Sequence, residues 1–336
     1  MSNWKPAVLC LACLLTPGVT LADVDPACDL DGDGKTDNYD TGLTSEAAQQ
    51  WNLANATSLA MTLSPLMAPN AYKPFEVAVS LELNQLDYLS CQERTVLEGI
   101  KTEDTNKTPI VPRPRVTLGL PFGYVSVAGL PPVKLAGVRT GLLSVEAGGG
   151  HTLDSGLKVG GRIHSTIGQI IGNIALPFEA PDGVDGGGEE AVDDEYQFIN
   201  VGADVSVGYD IELSKIQLMP YIGAGVLRTT SIFFVGETPY EVFAGDYFYD
   251  RYFREDILSE YVPGFAGIDA FAGLGGRMGR IDGALEFFFI PVRRSMPDTY
   301  STPDGESASL YTADGQPSAY VTNNASLRLR VGYIFN

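Results

Sequence analysis

Asp29 to Asp40 reads DLDGDGKTDNYD, with side-chain carboxylates at loop positions 1 (Asp29), 3 (Asp31), 5 (Asp33), 9 (Asp37) and 12 (Asp40). Gly34 at position 6 permits a sharp bend, and Lys35 at position 7 can offer its backbone carbonyl. Wrapped into one turn, that spacing surrounds a hard cation with oxygen, and Ca2+ in a structural role is the cofactor it fits. The plainer alternative is an acidic linker. A second group with chemical potential is His164-Ser165-Thr166. In a strand His164 and Ser165 face opposite sides, and His164 shares a face only with Thr166, an unusual partner for a general base. The sequence has no P-loop, dinucleotide fingerprint or HExxH, so no enzyme is expected.

These groups need elements to hold them. Lys5, the apolar run Ala7 to Leu15 and the small-x-small site Thr20-Leu21-Ala22 predict a cleaved secretory signal over residues 1–22. Cleavage removes Cys10 and Cys13 and leaves Cys28 and Cys91, which suggests one disulfide in an oxidising compartment. No later stretch approaches the roughly 20 uninterrupted apolar residues of a spanning helix, so the mature chain is either soluble there or a barrel. Its 22 basic and 42 acidic residues give a formal net charge of −20, which argues against nucleic acid as a partner. Residues 23–72 read as the calcium-type loop followed by a helix over Ser45 to Leu63, capped by Ser45 and stopped by Pro65. Its weak apolar stripe (Trp51, Leu59, Leu63) suits a barrel lumen as a plug, or equally an ordinary place in the periplasm.

From residue 73 to 336 the period is two. Phe75, Val77, Val79, Leu81 and Leu83 alternate with Glu76 and Glu82; Leu327, Leu329, Val331, Tyr333 and Phe335 alternate with Arg328 and Arg330. Between them lie eight further segments: 115–120, 124–130, 143–147, 157–167, 199–209, 216–226, 268–277 and 281–289. One face of each can meet lipid while the other meets water. The joints alternate short (Pro121-Phe122, Gly149 to Ser155, Glu212 to Ser214, Met278 to Arg280) and long (Ser90 to Pro112, Ala175 to Glu195, Val235 to Pro263, Arg293 to Asn324). Pro131-Pro132 reads as one short joint on the long side. The expected fold is all-β: a transmembrane antiparallel barrel of ten strands, both termini at the short-turn end. A count of twelve stays open, because Tyr240 to Phe253 has room for another hairpin. The polar face carries Glu76, Glu82, Arg115, Arg162, Asp204, Asp269, Asp282, Glu286, Arg328 and Arg330, expected as lumen charges that pair or line a conduit.

Three resemblances follow from particular residues. Asp29 to Asp40 resembles the calcium loops of EF-hands, dockerins and thrombospondin type 3 repeats, with Asp40 where an EF-hand usually has Glu. The closing LRLRVGYIFN resembles the last-strand signal of Gram-negative outer-membrane β-barrels, followed here by Asn336, and PYIGAGV at Pro220 to Val226 is a phrase common in them. That resemblance implies the cell outer membrane as location, outer-membrane lipid and lipopolysaccharide as surroundings, and the barrel-assembly machinery as a partner of the final strand. A plug tied by Cys28 to Cys91 would be similar to the N-terminal hatch of long-chain fatty-acid transporters. The expected role is a channel or transporter for small molecules; the alternatives are a structural or adhesive barrel and, more distantly, a lipid-modifying enzyme.

Overall fold

The computed structural model describes residues 58–85, 110–135, 138–172, 194–236, 265–292 and 323–335, with short strand segments at 95–98, 176–178, 242–244, 247–249, 256–262, 299–301 and 307–309. The expected signal, Cys28, Cys91 and the loop residues Asp29, Asp31, Asp33, Lys35, Asp37 and Asp40 lie outside the described residues, as do residues 45–57 of the expected helix.

Ten strands form one closed antiparallel barrel. They are β1 (Val77–Gln85), β2 (Ile110–Leu120), β3 (Gly123–Leu135), β4 (Val138–Thr152), β5 (Leu157–Gly172), β6 (Asp194–Tyr209), β7 (Ile216–Gly236), β8 (Ala266–Met278), β9 (Ile281–Ile290) and β10 (Asn324–Phe335). Each pairs with its neighbour in sequence, and β1 pairs with β10 from Val77↔Phe335 to Asn84↔Arg328, so the ring has no free edge. Closure satisfies the whole ladder internally, which a bilayer demands. No helix among the described residues is long and apolar enough to cross a membrane.

The alternation read from the sequence separates the two faces. Every strand exposes large apolar side chains outward, among them Val79, Val116, Val127, Val145, Ile163, Val205, Ile222, Leu274, Leu285 and Val331. A continuous belt of this kind is far more apolar surface than a soluble protein leaves in water, and it is the exterior of a transmembrane barrel. At the short-turn end Phe122, Tyr209, Tyr333 and Phe335 point outward, with the Tyr333 and Phe335 rings 4.9 Å apart edge to face. Arg280 in the turn donates to the Tyr333 hydroxyl at 3.3 Å, which raises the pKa of its guanidinium. Tyr72 and Tyr124, also near strand ends, are buried inside the barrel.

Two local readings are corrected. Pro131-Pro132 is not a joint: β3 runs on to Leu135, and the register shift between Leu130 and Val133 absorbs the prolines as a bulge. Proline has no N–H to give the ladder, so a bulge is where a strand tolerates it. The segment around Tyr240 to Phe253 does form a hairpin, Val242–Ala244 with Tyr247–Tyr249, but it stands apart from the barrel sheet. The strand Asp256–Val262 extends only the far end of β7.

Candidate functional site

Inside the ring, residues 58–72 occupy the lumen. The helix expected to reach Leu63 ends at Ala60, with a turn at Met61. Pro65 disfavours helix at Ser64, and its ring would collide with the carbonyl of Met61. The carbonyls beyond that point are taken by the wall. Arg113 Nη1 donates to Met61 O at 3.4 Å, Arg328 Nη1 to Thr62 O at 2.6 Å and Arg162 Nη2 to Leu63 O at 2.9 Å. Arg115 Nη1 donates to Ser64 O and Pro65 O at 3.4 and 3.3 Å, and Arg330 Nε to Leu66 O at 3.0 Å. Five guanidinium groups from three strands thus hold six successive carbonyls. Leu66 sits at φ 48, a left-handed conformation a leucine rarely adopts. It is clamped on both sides, since its N–H donates to Glu286 Oε2 at 3.1 Å.

The segment runs from the long-joint end towards the short turns. Asn84 at the far end of β1 donates to Ala60 O, and Asn200 Nδ2 to Ser58 O at 2.7 Å. At the other end Asn70 Nδ2 donates to Thr152 Oγ1 at 3.0 Å, and the Tyr72 hydroxyl to Asp282 Oδ2 at 3.0 Å. Its apolar side chains are enclosed: Leu59, Met61, Leu63, Leu66 and Met67 are buried, and Met67 packs with Tyr72, Tyr124, Ala78 and Ile334.

The wall satisfies its own charges in two ways. From β1 to β6 an alternating chain runs around the barrel. Arg113 pairs with Glu82 at 3.2 Å, Glu82 also with Arg115, Arg115 with Glu146, Glu146 with Arg162 at 2.6 Å, and Arg162 with Asp204. Asp204 and Asp269 then flank Gly225 from the strands on either side. A side chain on Gly225 would collide with the Asp204 carboxylate, so glycine is what lets the acid fold across it. Neither oxygen of Asp269 has a hydrogen-bond partner among the described residues.

From β7 to β10 the wall is aromatic. Tyr221, Phe271 and Phe288 form a row with ring centroids 6.3 and 6.4 Å apart. Tyr221 lies over Gly273 and Phe271 over Gly223, each filling space a Cβ would need. Arg328 stacks on Phe288 at 4.1 Å from the ring centroid, and Arg330 pairs with Asp282 at 2.6 Å and with the Tyr72 hydroxyl. The Tyr221 hydroxyl donates to Glu286 at 2.9 Å.

The structure therefore brings Glu82, Arg115, Arg162, Asp204, Asp269, Asp282, Glu286, Arg328 and Arg330 together inside the barrel, all buried. Glu76 is only partly covered and pairs with Arg277 at 2.9 Å near the short-turn end. Arg113, Glu146 and Lys158 also face inward and were not among the expected lumen charges. Arg113 hid between Pro112 and Pro114 in an apparent loop; Glu146 lay in the least regular strand pattern. Counted with these, the buried wall has six basic residues (Arg113, Arg115, Lys158, Arg162, Arg328, Arg330) and six acidic ones (Glu82, Glu146, Asp204, Asp269, Asp282, Glu286), while residues 58–72 carry no charge. His164 faces inward with Nε2 3.7 Å from Asp204, and the Thr166 hydroxyl is hydrogen-bonded to Ser144 at 2.8 Å.

Little space is left around the segment. A void of about 20 Å³ between Pro65, Met67, Tyr124, Arg162, Asp204 and Phe271 holds about one water, and one of about 10 Å³ beside Tyr72 and Met219 barely that. At the level of residues 58–72 the barrel is closed.

No family model matches the sequence, and no curated protein matches it at a significant level. Solved structures match weakly. The attachment invasion locus protein Ail of Yersinia pestis is 11% identical, with 78% of this chain and all (100%) of that chain covered and a TM-score of 0.25. The Ralstonia pickettii toluene transporter TbuX is 8% identical over 82% of this chain and 80% of that one, with a TM-score of 0.33. The Pseudomonas putida toluene transporter TodX is 10% identical over 93% and 98%, with a TM-score of 0.30. Scores this low carry no argument about function, which rests on the chain's own residues.

Proposed function

We propose that the chain is an outer-membrane channel for small polar solutes, closed at rest by residues 58–72. The observation that carries this reading is the grip itself. A charge-balanced wall spends five arginines on the main chain of an uncharged segment, so the segment can leave without stranding a charge of its own. The outward apolar belt supports placement in a membrane, and closed β-barrels of this architecture span outer membranes. The reading extends to a Cys28–Cys91 disulfide. Such a bond would tie the chain ahead of the segment to the joint that follows β1. Ca2+ bound by Asp29, Asp31, Asp33, Asp37 and Asp40 would stiffen the chain ahead of the segment.

The test is planar-bilayer conductance of the refolded mature chain, with and without reductant, beside a variant lacking residues 23–72. The full chain should be quiet, and the shortened barrel should show discrete steps. A shortened barrel that is folded yet silent would favour a structural or adhesive role. Mass mapping without reductant that finds two free thiols would remove the disulfide, and calorimetric titration showing no heat with Ca2+ would remove the cation site.

A further inference from the structure

The outward face of β3 to β6 changes chemistry in three steps near the long-joint end. The lowest row is aliphatic: Leu143 pairs with Ile167, and Ile167 with Ile199, all three exposed. The next is amide: Gly141 pairs with Gln169, and Gln169 with Gln197. The third is charged: Lys134 pairs with Arg139, Arg139 with Ile171, and Ile171 with Glu195. Gln169 and Gln197 both donate their amides to Glu195 Oε1, at 2.5 and 2.6 Å, which fixes the two amide side chains. A groove of about 460 Å³ crosses the first two rows, lined by Pro132, Gly141, Leu143, Ile167, Gln169 and Gln197. The proline bulge in β3 brings Pro132 close over Gly141, where an added Cβ would meet the proline Cβ at 3.2 Å, and the groove lies beside that contact.

Above the groove, Lys134 and Arg139 face each other directly across the β3–β4 ladder, both exposed. Like charges in that relation repel. Neither has an ion-pair partner among the described residues. An anion between them would turn the repulsion into attraction.

We propose that this groove binds one anionic lipid, its acyl chain along Leu143 and Ile167, its polar linkage at Gln169 and Gln197, and its phosphate between Lys134 and Arg139. The order of the rows is the order of parts in such a lipid, and the cations sit at the headgroup end only. The proposal rests on the reading that the apolar belt lies in a membrane.

The experiment is native mass spectrometry of the refolded mature chain in micelles, titrated with dioleoyl phosphatidic acid or with the matching phosphatidylcholine. One phosphatidic acid should be retained per chain at concentrations where phosphatidylcholine is not. The double variant Lys134→Gln/Arg139→Gln should weaken retention about thirtyfold, as expected for losing two basic contacts to an anionic headgroup. Leu143→Trp, which fills the groove on the lipid side, should abolish retention while Lys134 and Arg139 remain. Equal retention of both lipids by the wild type, or binding indifferent to the double variant, means an adventitious additive only and overturns the site. Flotation with vesicles separates the two readings. A chain that floats but shows no selective retention overturns the site alone; one that is folded and does not float overturns the membrane placement with it.

Discussion

The lumen wall from β1 to β6 and the wall from β7 to β10 both bury charge, by different means. In the first, each guanidinium of Arg115 and Arg162 is shared between two carboxylates, and the result is a continuous alternating chain. In the second, charges are spaced among rings: Arg328 lies on Phe288, Glu286 accepts from a tyrosine hydroxyl and from the backbone of Leu66, and of the two fully buried arginines Arg330 alone has a carboxylate partner among the described residues. The first arrangement is strong only while complete, because each member compensates two others. The second is modular, since losing one contact leaves the next intact. Both halves then meet on the same object, the carbonyls of Met61 to Leu66.

That contrast can be broken by substitution, with unfolding in urea from micelles as the common measurement. Arg115→Gln should be the most damaging, about 3–5 kcal/mol, because it leaves both Glu82 and Glu146 short of a partner in the interior. A loss below about 1 kcal/mol would mean the chain of pairs is not cooperative. Arg328→Met should cost less, about 1–3 kcal/mol, as it removes the bond to Thr62 and the stacking on Phe288 but strands no carboxylate within ion-pair distance. Equality with Arg115→Gln would erase the distinction between the halves. Tyr221→Phe removes one donor to Glu286 and should cost about 1 kcal/mol, since Leu66 N–H still serves that oxygen. Asp269→Asn should have the smallest effect and the opposite sign, a slight stabilisation, because it relieves an unpartnered carboxylate beside Asp204. Destabilisation by Asp269→Asn would show that the acid pair holds something in place.

The barrel was legible because its strands carry their apolar residues on one face only. All ten segments recognised by alternation, from Val77 to Phe335, are wall strands. Nine of the ten expected lumen charges are buried for the same reason, since parity fixes facing. Parity fails where a bulge resets it: Pro131-Pro132 looked like a joint, and Lys134 changes face beyond it. Arg113 was hidden because prolines on both sides imitate a loop, although Pro114 tolerates its place on the outward face. The early end of the helix had a local signal in Pro65. The guanidinium contacts that take up carbonyls 61–66 had none, because they come from residues 50 to 266 positions away. The outward groove was equally invisible: it needs rows of residues from four strands to be seen side by side.

The lumenal segment leads into β1 through residues 73–76, and β1 is one side of the seam that closes the ring. Arg113 and Arg115 lie about fifty positions from the carbonyls they hold, at separations of 52 and 51 residues. Arg328 and Arg330 lie on the final strand, at separations of 266 and 264. A wall laid down in order around its own N-terminal segment would acquire the first contacts early and the others only when β10 arrives. Zipping the last strand onto the first and completing the grip on the segment are then one event in time, so in a barrel stalled before its seam the arginine grip would come from β2 and β5 alone.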